Sequence, residues 1–170
     1  NNITGQSACK WLVMEWDGRE SSGIFVGNPI GWLLRNVNSS LALFKDNGIR
    51  SFSKVLIAIR PGRRNKRFID VADKICRHFG ASLTLLNILS ETDSNQKIKR
   101  TEKSSTELIS ETKSKSVVQI IKSNNPVEAI SEESASYDLL ILGTPEKDNW
   151  ISVLFGAGED RFVKKAACSV

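Results

Sequence analysis

The sequence has little with which to hold a metal or carry out covalent chemistry. Its one histidine, His78, has no Cys or His at metal-ligand spacing, whereas a zinc site needs three or four such ligands. The three cysteines, Cys9, Cys76 and Cys168, are odd in number and unpatterned. That fits free thiols in a reducing compartment better than a disulfide framework. No apolar run approaches the ~18 residues that suggest a membrane span, and the polar opening NNITGQSACK has no signal-peptide pattern. Gly23, Gly27 and Gly31 have GxxxG spacing without the apolar span that would make it a membrane-dimer motif. There is no P-loop, no Gly-x-Ser-x-Gly, and no Cys paired with a plausible base. The acid pairs Glu132-Glu133 and Glu159-Asp160 sit on helix-forming stretches. Adjacent helix positions point about 100° apart, so neither pair is a good general acid/base couple. No enzyme is expected, and the net charge of +5 is too modest to imply a nucleic-acid partner.

What is present is one pattern that occurs twice, roughly 130 residues apart. The first copy runs from Trp11 to Lys45 and the second from Asp138 to Val170. Each opens with a short apolar run, crosses a polar turn, and reaches Phe-x-Gly or Phe-Gly at a helix start. A second apolar run follows the helix, complete as Leu41-Ala42-Leu43-Phe44 in the first copy and cut at Val170 in the second. Residues 1–50 therefore read as the closing portion of one domain, and residues 51–170 as a sister domain with its last strand truncated.

From Ser53 onward the segments alternate. KVLIAI at 54–59, LTLLNIL at 83–89, SVVQII at 116–121 and the apolar run at 138–142 are short and continuous, as strands buried on both faces of a parallel sheet should be. Between the first two, apolar residues at Phe68, Val71, Ala72, Ile75, Cys76 and Phe79 have helical spacing, and Gly80 stops the helix. Residues 90–115 are polar and predict a helix over 101–113 beside a mobile loop. Pro126 opens a helix running to about Ser136, and a last helix is predicted over 157–166. The fold class is α/β: a Rossmann-like parallel-sheet domain with helices on both faces, preceded by a closing βαβ unit of a second copy. Such sheets bind ligands beyond the carboxyl ends of their strands.

The ordered set VLIAI, HFGASLTLLNIL, DLLILGT and Ala167-Cys168-Ser169-Val170 resembles the universal stress protein family. The resemblance spans Lys54 to Val170 and covers Trp11 to Asp46 as the closing third of a preceding copy. Nucleotide-binding members hold ATP with an Asp after the first strand and a backbone segment ending the second. They also use a loop of Gly, two residues, Gly, nine residues, Gly, then Ser or Thr. Glycines let backbone N–H groups close on phosphates, and the hydroxyl adds a donor near a helix N-terminus. The matching positions here are Arg60, Ile88, Gly143, Thr144, Glu146, Gly156 and Ala157. Arg60 replaces the acid, Glu146 replaces the second glycine and would repel a triphosphate, and Ala157 lacks the hydroxyl. The resemblance thus implies a degenerate nucleotide pocket, with no cofactor expected and ATP not held. In the first copy the corresponding turn, Glu15-Trp16-Asp17-Gly18, has lost the leading glycine, and its spacing to Gly27 is one residue short.

VMEW, GNPIGWLLRN and LALFKD resemble tandem stress-protein modules in the cytosolic tails of amino-acid permease-like carriers and cation/chloride cotransporters. That implies a regulatory or assembly domain on the cytoplasmic side of a membrane, soluble as an isolated fragment, with the parent's transmembrane domain as partner. The alternative is a stand-alone stress protein binding ATP or another adenine nucleotide. The family often pairs through its last strand, so Leu41, Leu43 and Phe44 are the expected interface of a dimer or of a pseudo-dimer between the two halves. The run from Arg60 to Arg67 holds five basic residues in eight and is a candidate contact for an anion or acidic lipid.

Overall fold

The computed structural model describes residues 11–15, 40–59, 65–143 and 159–170 of the chain. Strands β1 (Trp11–Glu15) and β2 (Ser40–Phe44) pair in parallel, with Trp11 opposite Ser40 and Glu15 opposite Phe44. Next come β3 (Lys54–Ala58), α1 (Asn65–Phe79), β4 (Ser82–Leu89), α2 (Asn95–Ile109), β5 (Ser116–Lys122), α3 (Pro126–Ser134), β6 (Leu139–Leu142) and α4 (Glu159–Lys165). The second sheet is wholly parallel, in the order β5-β4-β3-β6. This is the expected parallel α/β architecture, and its strand bounds agree with the apolar runs to within a residue or so.

The central strand shows why. Val55, Leu56 and Ile57 are all fully buried, because alternate side chains leave opposite faces of the strand and each face carries a helical layer. Val55 and Ile57 join Leu83, Leu85, Ile69, Ala72 and Cys76 in a core beneath α1 and α2. Leu56 joins Leu86, Leu140, Ile130, Ala166 and Cys168 beneath α3 and α4. The buried thiols Cys76 and Cys168 therefore belong to opposite layers. Burial pushes Cys76 up to about 11 and raises Cys168 as well, so neither is a poised nucleophile. Helix α1 spans the predicted 65–79. Gly80 follows at φ +68, and the Ala81 N–H donates back to the Cys76 carbonyl at 2.8 Å, the closing bond of a Schellman cap.

Helix α2 corrects the expectation of 101–113. It begins at Asn95 because the Ser94 hydroxyl caps it, accepting from the Lys97 N–H at 3.3 Å. Its buried face is Thr101, Ser105 and Ile109, so hydroxyls occupy the i, i+4 positions that apolar periodicity would have marked. Ser105 Oγ accepts from Asn87 Nδ2 at 2.9 Å, and both residues are buried. The loop expected to be mobile is latched. Ser90 Oγ donates to Asn124 Oδ1 at 2.8 Å, and Asp93 accepts from the Ser90 N–H at 2.9 Å and from Lys97 Nζ at 2.8 Å. Helix α3 stops at Ser134, two residues early. The start of the last helix, placed at 157, lies outside the described residues.

The two sheets meet edge to edge. Ser169 bridges in parallel to Leu139, its carbonyl accepting from the Leu140 N–H at 2.8 Å. On the other side, Lys45 N–H donates to the Val170 carbonyl at 2.8 Å and Val170 N–H donates to the Lys45 carbonyl at 3.0 Å. A mutual exchange of this kind occurs only between antiparallel residues. The chain leaving β2 thus runs antiparallel beside the segment that follows α4. Asn47 adds two bonds there, its N–H to Ser169 Oγ at 2.9 Å and its Nδ2 to the Cys168 carbonyl at 2.9 Å. Phe44 packs against the α1-side core.

Candidate functional site

In the sheet, β4 and β5 lie to one side of β3 and β6 lies to the other. The carboxyl ends of β3 and β6 are therefore the point where the winding changes direction, the usual place for a ligand in this architecture. The opposite ends of the same strands are clamped. Asp138 Oδ2 accepts from the Ser53 N–H and hydroxyl, both at 2.7 Å, and from the Lys54 N–H at 2.8 Å. The Ser53 hydroxyl leads the donors that hold Asp138 below the ordinary carboxylate range, against the opposing effect of burial. With one end pinned in this way, β3 and β6 present their carboxyl ends in fixed register, Ala58 beside Leu142.

Of the sequence-derived site positions, the structure describes Ile88 and Gly143. Ile88 is half-buried and packs with Ala58, Leu142 and Ile121 against the α3/α4-side core, giving the switch point an apolar floor. Gly143 follows β6 directly. A Cβ built there would lie 3.3 Å from Phe68 Cε1, so the α1 ring closes on bare backbone, and any larger residue would need that ring to give by a few tenths of an ångström. Phe68 is the participant that sequence reasoning missed; it was legible only as one apolar position of α1. Arg60, Thr144, Glu146, Gly156 and Ala157 lie outside the described residues.

The basic run is engaged where it is described. Lys66 Nζ forms an exposed ion pair with Glu111 at 2.6 Å, and Arg67 Nη2 lies 3.5 Å from Ser40 Oγ at the start of β2. The expected interface residues are half-buried on β2, where Leu41 is opposite Leu12, Leu43 opposite Met14 and Phe44 opposite Glu15. On the far side of α1, Asp73 ties the helix to the turn before β5. Its Oδ1 accepts from Lys113 N–H, Ser114 N–H and Ser114 Oγ at 2.8–3.0 Å, and its Oδ2 from Arg77 Nε at 3.0 Å. Burial pushes this carboxyl up, but the Ser114 and Lys113 donors and the Arg77 charge outweigh it and hold it below the ordinary range. No group of His, Cys, Asp and Glu among the described residues can hold a metal ion. No helix among them is long and apolar enough to cross a membrane.

No protein-family model matches the chain, and no curated protein matches it. Solved structures do. A universal stress protein in complex with cAMP matches at TM-score 0.54 and 16% identity, over 70% of this chain and 94% of that one. The universal stress protein of Archaeoglobus fulgidus in complex with dAMP matches at 0.53 and 13%, over 70% and 95%. A universal stress protein from Archaeoglobus fulgidus DSM 4304 matches at 0.60 and 14%, covering 95% of this chain, which spans 59% of that longer one. The chain has the universal stress protein fold.

Proposed function

We propose that this chain is a non-catalytic regulatory and assembly module of the universal stress protein family, acting on the cytosolic side of a membrane transporter for amino acids or ions. The observation that carries the reading is the junction of Lys45 and Asn47 with residues 168–170. It joins the chain leaving β2 to the segment that follows α4 through backbone and side-chain hydrogen bonds, as a pairing of two stress-protein-like halves would. The match to a longer stress protein over 95% of this chain, against about 70% for the shorter ones, supports a tandem arrangement. Leu41, Leu43 and Phe44 are then the apolar content of the pairing unit, within the chain or with a second copy. The transporter context rests on the VMEW, GNPIGWLLRN and LALFKD segments. The basic segment from Arg60 to Arg67 would serve it at an acidic lipid surface.

The pocket chemistry agrees with a role other than ATP turnover. Arg60, Glu146 and Ala157 remove an acid, a phosphate-cradling glycine and a hydroxyl, so this donor set does not fit a triphosphate. Two tests follow. Fractionating source cells with an antibody to this chain should find it in the membrane pellet on a longer polypeptide; a free cytosolic protein of this length would overturn the transporter context. Calorimetry with Mg-ATP should give no binding at micromolar concentrations; tight stoichiometric binding would overturn the regulatory reading. A second reading, an adenine mononucleotide at the same switch point, is favoured by the cAMP and dAMP complexes of two structural relatives. The same calorimetry with those two ligands tests it.

A further inference from the structure

Strand β5 is the outer strand of the four-stranded sheet. Its pairing with β4 uses only half of its backbone. The Leu83 N–H donates to the Lys115 carbonyl and the Ser123 N–H donates to the Leu89 carbonyl, so the odd-numbered residues from 115 to 123 turn their peptide groups toward β4. The N–H and C=O groups of Ser116, Val118, Ile120 and Lys122 consequently point away from the sheet. The strand SVVQIIK is seven residues long and uncharged up to Lys122, and Val117 is 52% exposed. An edge of this length and composition is a template for another strand. Beside it lies a cleft of about 420 Å³ between β5 and α3, lined by Ile121, Ser123, Glu128, Glu132 and Glu133 among others. Glu128 is paired with Lys165. Glu132 and Glu133 have no ion pair among the described residues.

We infer that β5 pairs antiparallel with β5 of a second copy of this chain, about a twofold axis at Gln119, the middle residue of the strand. In that register Ser116 is opposite Lys122 and Val118 opposite Ile120, so the outward peptide groups satisfy one another. Val117 is opposite Ile121, on the same face of the sheet, so the exposed valine of each copy covers the cleft-lining isoleucine of the other. Lys115, exposed in this chain, is opposite Ser123 at the mouth of the cleft. It brings a cation to Glu132 and Glu133, and the twofold axis repeats the contact. One register thus accounts for the outer edge of β5, the exposed valine and two carboxylates that have no ion pair among the described residues, at an edge distinct from the one that Lys45 covers.

Sedimentation equilibrium of the full chain tests this, together with variants that fail differently. Val118→Pro removes an outward N–H and leaves the β4 ladder intact, and should weaken self-association by about tenfold or more. Gln119→Cys places two thiols in a non-hydrogen-bonded antiparallel pair with Cα atoms about 4.5 Å apart, inside the disulfide range of about 4.4–6.8 Å. Mild oxidation should give a covalent dimer. Lys115→Glu should weaken the dimer, and combining it with Glu132→Lys and Glu133→Lys should restore it. A chain that is monomeric at every concentration overturns the inference. So does a dimer that Val118→Pro leaves intact and Gln119→Cys fails to crosslink.

Discussion

Lys45 and Val170, at the two ends of the described chain's longest covalent separation in the junction, exchange both of their backbone hydrogen bonds, at 2.8 and 3.0 Å. Lys45 Nζ also reaches the Val163 carbonyl at 3.0 Å, in the last turn of α4, where a cation suits the helix dipole. Asn47→Ala deletes the amide bond to the Cys168 carbonyl and should cost about 1 kcal/mol in urea unfolding. Amide exchange at Val170 should accelerate in this variant. Unchanged exchange there would mean that the junction does not depend on Asn47.

Asp138 gathers three donors on one carboxylate oxygen. Asp138→Ala strands the Ser53 and Lys54 donors and should destabilise by about 1–3 kcal/mol. A loss under about 0.5 kcal/mol, the range of ordinary surface changes, would show that water replaces the clamp.

The same carboxylate and Asp73 set the response to acid. Both are held below the ordinary range in the folded chain. Their stabilisation is complete above the unfolded value of about 3.9 and is lost as pH falls below it, through the depressed folded values. Denaturation midpoints should therefore drop as pH falls below about 4. The drop should be shallower in Asp73→Asn and Asp138→Asn than in the native sequence. Equal slopes would remove these two groups as the cause.

Gly143→Ala sets a Cβ 3.3 Å from the Phe68 ring, which must give by a few tenths of an ångström, so the change should cost about 1 kcal/mol or less. Phe68→Leu in the same chain should recover part of that loss. Strict additivity of the two changes would contradict the contact.

Asn87 Oδ1 is buried with no hydrogen-bond partner among the described residues, while its Nδ2 is satisfied by Ser105. Ser105→Ala alone should cost about 1–3 kcal/mol, since the whole amide is then unsatisfied. Asn87→Leu combined with Ser105→Ala should be near neutral, since both polar partners are removed together. A double variant as unstable as the single one would refute this account.

Where burial follows apolar periodicity, the fold was legible. Val55, Leu56 and Ile57 mark a strand covered on both faces, and Phe68 to Phe79 marks α1 with its glycine stop. Helix α2 was misplaced because its inward face is Thr101, Ser105 and Ile109, two hydroxyls for one apolar residue, and because its cap, Ser94, is one of many serines in that stretch. The switch point was legible as a place, since the order of the strands fixes it, and Gly143, singled out from loop spacing, lies directly after β6. Its contact with Phe68 was not, because nothing in a linear pattern says which helix ring faces which strand end. The Lys45–Val170 exchange was equally hidden. Backbone pairs between residues so far apart leave no mark on side-chain type, and only the neighbouring Asp46-Asn47-Gly48 turn hints at a reversal.

The placement of Cys76 beneath α1 and α2 and of Cys168 beneath α3 and α4 turns the molecule into its own pair of chemical reporters. Both thiols are buried and raised by that burial, Cys76 to about 11, so each is silent to alkylating reagents until its layer opens. Pulse labelling followed by peptide mass analysis would then time the opening of each helical layer separately within one polypeptide, with no probe introduced. If the sheet separates both layers in one cooperative event, the two sites will label together; if the α4 layer, anchored through Lys45 and Asn47, lets go first, Cys168 will label ahead of Cys76.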